Sequence, residues 1–291
     1  MSIQKIKDFI SKFFSKIPLR YFRDPDPVVS VLRLSGVIGQ VGPARSGLTL
    51  ESLEKSIEKV FSNKRTKTVA IIINSPGGSP VQSALIARRI RELSVEKSIP
   101  VIAFTEDVAA SGGYWLACAA DEIYADQNSI IGSIGVISSG FGFVDAIARL
   151  GIERRVYSVG KQKGMLDPFL PETPEEIKKL KAIQVDIHKS FKEMVLERRG
   201  AKLTTKDTEK LFEGDIWTGS QAVDLGLVDG VSDLRQKMRE VHGDRVKFRN
   251  FSVKSNPIKR ILSSRDERAR HQALSTLSAI QEWAAWNRFG M

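Results

Sequence analysis

Residues 69–79 read Val69-Ala70-Ile71-Ile72-Ile73-Asn74-Ser75-Pro76-Gly77-Gly78-Ser79. An unbroken apolar run, mostly β-branched and without alternation, is the pattern of a parallel strand buried on both faces. The turn that ends it is followed by helical spacing over 80–95, with Val81, Leu85, Ile86, Ile90 and Leu93 inward, and then by a strand over Pro100–Phe104. Strand, helix and strand at these intervals predict a right-handed α/β crossover fold.

The same alternation extends in both directions. Upstream, Val28–Leu34 reads as a strand stopped at Gly36, and Leu50–Phe61 as a helix. Downstream, Ala109–Ala120 reads as a helix entered through Ser111-Gly112-Gly113, Glu122–Ala125 as a short strand, Val144–Leu150 as a helix and Arg155–Val159 as a strand. Thr173-Pro174-Glu175-Glu176 combines an N-cap threonine, proline at the first helical position and glutamate three residues past the cap, so a long helix is expected from there to Arg199. Short helices are expected near 205–212 and over Gly219–Leu225. Past residue 244 the pattern turns basic and irregular, ending in an apolar-aromatic stripe over Leu274–Phe289. Three regions follow: a basic amphipathic N-terminal segment and linker over 1–27, a body over 28–243, and a basic extension over 244–291.

A chain of 291 residues with 42% apolar and 27% charged side chains can bury a real core, which excludes a disulfide-stapled miniature and general disorder. The net charge is +11. Residues 1–23 hold six Lys/Arg against Asp8, and residues 235–270 hold twelve against four acids. The middle of the chain is therefore nearly neutral and carries no basic groove of its own. Ile3, Ile6, Ile10, Phe13, Phe14 and Ile17 recur at helical spacing between lysines, which suits an interfacial helix on an anionic bilayer. No run reaches the roughly 18–20 apolar residues that span a membrane, and no cleavage site follows the first helix. The expected location is peripheral on the cytoplasmic face of a bacterial inner membrane, or the cytoplasm. The single cysteine, Cys118, forms no intrachain disulfide and reads as a small buried apolar residue. No metal site and no cofactor is expected.

Two loops combine a tight turn with backbone donors. Gly77-Gly78 lies at the carboxyl end of the buried strand, the edge where open α/β sheets place ligands, and glycines there let N–H groups approach a developing negative charge. Ser111-Gly112-Gly113 follows the next strand and presents a hydroxyl at a helix start. Each alone also fits a plain turn or an N-cap serine. A serine nucleophile needs a base. His188, His242 and His271 are the only histidines, and each reads as part of a solvated face. The known substitute is a lysine kept neutral by burial, and composition does not say which.

Taken in order, Val69–Ser79, Ala109-Ala110-Ser111-Gly112-Gly113-Tyr114-Trp115, Ile131-Gly132-Ser133-Ile134-Gly135-Val136-Ile137, Gly160-Lys161-Gln162-Lys163 with Asp167-Pro168-Phe169, and Thr218–Asp229 resemble the signal peptide peptidase A/SohB family of serine-lysine peptidases. The resemblance covers roughly 28–235. It implies a ClpP/crotonase-like α/β fold, a twisted sheet with flanking helices and a protruding helical arm. It also implies Ser111 as nucleophile, Lys163 as general base, Gly78 and Gly112 as the oxyanion hole, and Ser133 as a hydroxyl orienting the lysine. A homo-oligomer acting on remnant signal peptides or other extended apolar peptides is implied in turn. Rival readings are a crotonase-type acyl-CoA enzyme, which would need a carboxylate base near the second loop, and an inactive scaffold at a membrane surface. Nucleic-acid binding by basic stretches such as Lys247-Phe248-Arg249-Asn250-Phe251 is not expected, since the body carries none of the usual motifs.

Overall fold

The computed structural model describes residues 26–40, 47–160, 162–204, 208–251 and 282–290. The basic helix expected over 1–23 and the Leu274–Gln281 part of the C-terminal stripe lie outside them. The elements run β1 (Val28–Ser35), α1 (Leu50–Ser62), β2 (Thr66–Ser75), α2 (Pro80–Lys97), β3 (Val101–Ala110), α3 (Gly112–Ala117), β4 (Glu122–Ala125), β5 (Ile130–Gly132), α4 (Val144–Arg149), α5 (Pro174–Arg199), β6 (Ile216–Thr218), α6 (Gly219–Asp224), β7 (Gly230–Val231), α7 (Leu234–His242) and β8 (Lys247–Asn250).

These strands form an eight-stranded sheet with the order β6-β5-β3-β2-β1-β8, β4 lying beside β3 and β7 beside β4. Every pairing is parallel except β5 with β6. The unalternated run in β2 follows from burial on two sides. Val69, Ile71 and Ile73 pack with α1, α2 and α3 residues such as Ile57, Ile90 and Leu116. Ala70 and Ile72 face the other way, onto Phe104, Met238 of α7 and Val246.

Strand β3 divides its partners. Ile102–Thr105 pair with β4, whereas Val108–Ala110 pair with β5. At the break the β2–β3 register shifts, and the Asn74 side chain spans the gap, accepting from Val108 N–H at 3.3 Å and donating to Asp107 at 2.6 Å. The second half of β3 thereby leads straight into residue 111.

Helix α5 starts as its sequence predicts. The Thr173 hydroxyl accepts from Glu176 N–H, and the Glu176 carboxylate accepts from Thr173 N–H at 2.9 Å. The bond from Thr173 N–H, and after it the Thr173 hydroxyl donating to the same carboxylate at 3.0 Å, hold the Glu176 carboxyl below its ordinary pKa. Only Phe191, Val195 and Arg199 are buried along its 26 residues, so its N-terminal half projects as an arm. The C-terminal third is fixed by Trp115 stacking on Phe191 at 4.8 Å and by Arg198 donating to the Cys118 and Ala120 carbonyls.

Several local expectations need correction. Arg155–Val159 form no strand, and Tyr157 and Val159 are 92% and 98% exposed. β-Branched composition marks apolar surface, but a strand needs a neighbour to pair with. Ala109 and Ala110 end a strand rather than begin a helix, because their backbones pair with Ile131 and Gly132. The basic stretch at 247–250 is an edge strand on β1, where lysine and arginine are the residues that blunt an exposed edge. His242 is not on a solvated face: its Nε2 shares a 2.8 Å hydrogen bond with the Thr68 hydroxyl. Burial, with Lys67 nearby, lowers its pKa. His188 keeps Nε2 buried without a hydrogen-bond partner.

Candidate active site

Ser111 occupies the sharp turn from β3 into α3 with φ 51° and ψ −121°, a backbone conformation strained for any residue with a side chain. It is held there from both sides. Its N–H donates to the Gly132 carbonyl at 2.8 Å, and its C=O accepts from Trp115 N–H at 3.0 Å. Its side chain makes no capping bond to the helix it opens. A strained strand–turn–helix elbow of this kind serves to lift a nucleophilic hydroxyl clear of its backbone. The small residues of 109–113 allow it: a Cβ on Gly113 would come within 2.5 Å of the Ser75 carbonyl oxygen.

Gly77 and Gly78 approach this elbow from the end of β2, both with positive φ, 102° and 141°. A Cβ on Gly77 would lie 2.8 Å from the Ser111 Cβ and 2.9 Å from the Gly112 nitrogen, so no larger residue lets the two loops meet. Gly78 forms a parallel bridge with Ile38. In it the Ile38 N–H donates to Gly77 C=O and Ser79 N–H donates to Ile38 C=O. That pattern uses the neighbours of Gly78 and turns its own N–H away from the bridge. The Gly112 N–H is among the first of a helix, which have no intrahelical acceptor. The Gly78 nitrogen stands 3.4 Å from where a Gly112 Cβ would be. Ser111, Gly112 and Gly78, three of the residues singled out in the sequence, are thus brought together.

They line one cleft of about 320 Å³. Its remaining walls are apolar: Val37, Trp115, Val136, Ile137, Ile187 and Phe191 among them. Among the described residues no carboxylate lines it, and the only charged side chain that does is Arg288, from the C-terminal segment 282–290. Trp286 and Phe289 of that segment pack against Val108, Ala110 and Ile130, the strand ends that carry Ser111. The apolar spacing of this segment was legible in the sequence; its position at the cleft was not, since nothing in a stripe says where it docks.

The other two predicted residues do not line the cleft, although Ser133 directly follows Gly132, the residue whose carbonyl holds the Ser111 N–H. Ser133, φ 51°, is buried just past β5, its N–H donating to the Asp215 carbonyl. Lys163 is exposed in a turn of the 160–167 segment and does not line the cleft. His242 sits at the amino end of β2 beside Thr68, away from the carboxyl end that carries the elbow. Cys118 offers no rival nucleophile, because burial pushes its thiol up to about 12.

The family model for peptidase family S49 matches residues 94–246, a span that includes the Ser111 elbow and extends past α7. The chain belongs to peptidase family S49. This S49 chain is 46% identical over 282 residues to the Na(+)/H(+) antiporter NhaA of Brucella abortus (strain 2308), covering 94% of this chain and 38% of that protein. It is 31% identical over 204 residues to a putative signal peptide peptidase SppA of Enterococcus faecium, covering 69% of this chain and 58% of that one. Among solved structures, a membrane-bound stomatin-specific protease in mutant form superposes with a TM-score of 0.48 at 17% identity, over 77% of this chain and 97% of that one. The S49 chain spans only 38% and 58% of the length of these two curated relatives. Among the described residues no helix is long and apolar enough to cross a membrane.

Proposed function

We propose that this chain is a serine endopeptidase acting on extended apolar peptides, with Ser111 as nucleophile and Lys163 as general base. The observation that carries the reading is the strained Ser111 elbow beside two glycine N–H groups at the end of an apolar cleft. Lys163 Nζ, neutral, accepts the Ser111 hydroxyl proton as Oγ attacks the peptide carbonyl. The Gly78 and Gly112 N–H groups stabilise the oxyanion. Collapse breaks the C–N bond, the leaving amine takes the proton back from Lys163, and water then hydrolyses the ester with the lysine again as base. Ser133 orients the amine.

A lysine has to be desolvated to serve as base, and Lys163 is exposed in the single chain. The segment that carries it is also where large apolar side chains stand in solvent: Ile137, Phe141, Leu150, Tyr157 and Val159. The reading therefore assigns the covering of this segment to a second copy in a homo-oligomer, which brings Lys163 to a Ser111 across the subunit interface. Remnant signal peptides and membrane-protein segments suit the apolar walls. Contact of the basic terminal segments with an anionic bilayer, at the cytoplasmic face, would deliver them.

The test is complementation. Ser111→Ala and Lys163→Ala proteins, each inactive on a quenched apolar peptide, regain activity when mixed and allowed to exchange subunits. Folded variants that remain fully active would reassign both roles.

A further inference from the structure

Arg288 is out of character with its surroundings. It is the one charged residue among those described along a cleft otherwise walled by aliphatic and aromatic side chains and by the glycine turns beside Ser111. No carboxylate forms an ion pair with it among the described residues. Its guanidinium stacks over the ring of Phe289 at 5.7 Å. Phe289 is itself buried against Val108 and Ala110, so the base of the arginine is anchored to the strand that ends at the nucleophile. Arg288 is exposed at the rim of this apolar cleft, and a guanidinium so placed, with its donor fork unpaired, suits a planar anion, since carboxylates match its geometry with two parallel hydrogen bonds. Apolar walls would strengthen such a pair by excluding water.

We propose that Arg288 is a specificity-determining residue: it recognises a carboxylate on the bound peptide, close to the bond presented to Ser111. This rests on the reading of the cleft as a peptide site. The carboxylate has two possible sources, the free C-terminus of a short peptide and an Asp or Glu side chain within a longer one. A C-terminal carboxylate would direct the enzyme to peptides already released by an earlier cleavage. The remainder of the cleft asks only for apolar residues, which explains why one charged group can decide among otherwise similar peptides.

The experiment uses the full-length chain and three matched fluorescent peptides of one apolar sequence: free C-terminus, amidated C-terminus, and amidated with a glutamate in place of one glutamine. Their affinities are measured by anisotropy on Ser111→Ala protein, with and without Arg288→Gln, and their kcat/KM values on the corresponding proteins with Ser111 intact. The proposal predicts about a tenfold preference for one carboxylate-bearing peptide over the amide, in affinity and in kcat/KM. It also predicts that this ratio falls to near one in Arg288→Gln and recovers in part in Arg288→Lys. The peptide that is preferred identifies the source. Equal affinity for all three peptides, or a preference that Arg288→Gln leaves intact, overturns the proposal. A preference seen in binding with no turnover by any protein would uphold the role of Arg288 and overturn the peptidase reading instead.

Discussion

The Cβ that Gly78 lacks would lie 2.1 Å from the carbonyl oxygen of Ile38, less than any real contact allows. Ile38 bridges the loop after β1 to the turn after β2, and Gly78 carries one of the two N–H groups aimed at the cleft. The closeness therefore serves the site and the fold together. Alanine at this position can be accommodated only by moving the Gly77-Gly78 turn off the strand.

Gly78→Ala should lower stability by about 2–4 kcal/mol and abolish peptide hydrolysis, whereas Gly36→Ala should cost only about 1 kcal/mol. Both positions have positive φ, 141° and 110°, but no atom lies within 4 Å of a Cβ on Gly36. Chemical denaturation of the two variants measures the difference. Equal losses would show that backbone strain, not the collision with Ile38, is the governing effect.

Asp229 offers a test by pH. Burial pushes its carboxyl up, but hydrogen bonds from Lys202 and Arg199 and from the Ile123 N–H outweigh that and hold it below its ordinary value. Arg199 is only 3% exposed, and also donates to the Gly226 carbonyl, so the pair ties α5 to the end of α6. A depressed carboxyl contributes stability that is fully present above the unfolded-state value of about 3.9 and is lost as pH falls through the lower folded-state value. Asp229→Asn should cost about 2–4 kcal/mol at neutral pH, since it strands a buried arginine. The gap to wild type should narrow only below about pH 4. A gap independent of pH over that range would refute the ionic account.

The exposed apolar segment predicts assembly. Tyr157→Glu should leave the stability of the single chain within about 0.5 kcal/mol, as for other solvent-exposed sites, while shifting the protein to smaller species in analytical ultracentrifugation and reducing turnover in step. An unchanged sedimentation profile at all concentrations would remove the segment from any interface.

What the sequence disclosed was whatever a single stretch of chain determines. The run Val69–Ile73 announced a doubly buried strand because both its faces are apolar, and Thr173 to Glu176 announced a helix start because the cap is local. Ser111, Gly112 and Gly78 were legible as a group because each sits at a strand end, and strand ends of a parallel sheet converge. The failures all depend on partners distant in sequence. Lys247–Asn250 forms a strand only because β1 lies beside it, and its charges hid that. Arg155–Val159 has strand composition with nothing to pair with. His242 looked solvated until Thr68 met it. The place of Arg288 at the cleft depends on where Phe289 docks, which no periodicity encodes.

Treatment of the folded protein with a serine-directed phosphonate, followed by peptide mass mapping, bears most directly on the role of Ser111. The account predicts a single covalent adduct on Ser111, absent from Ser111→Ala and strongly slowed in Lys163→Ala. An adduct on another serine, or none on protein shown to be folded and assembled, would contradict it.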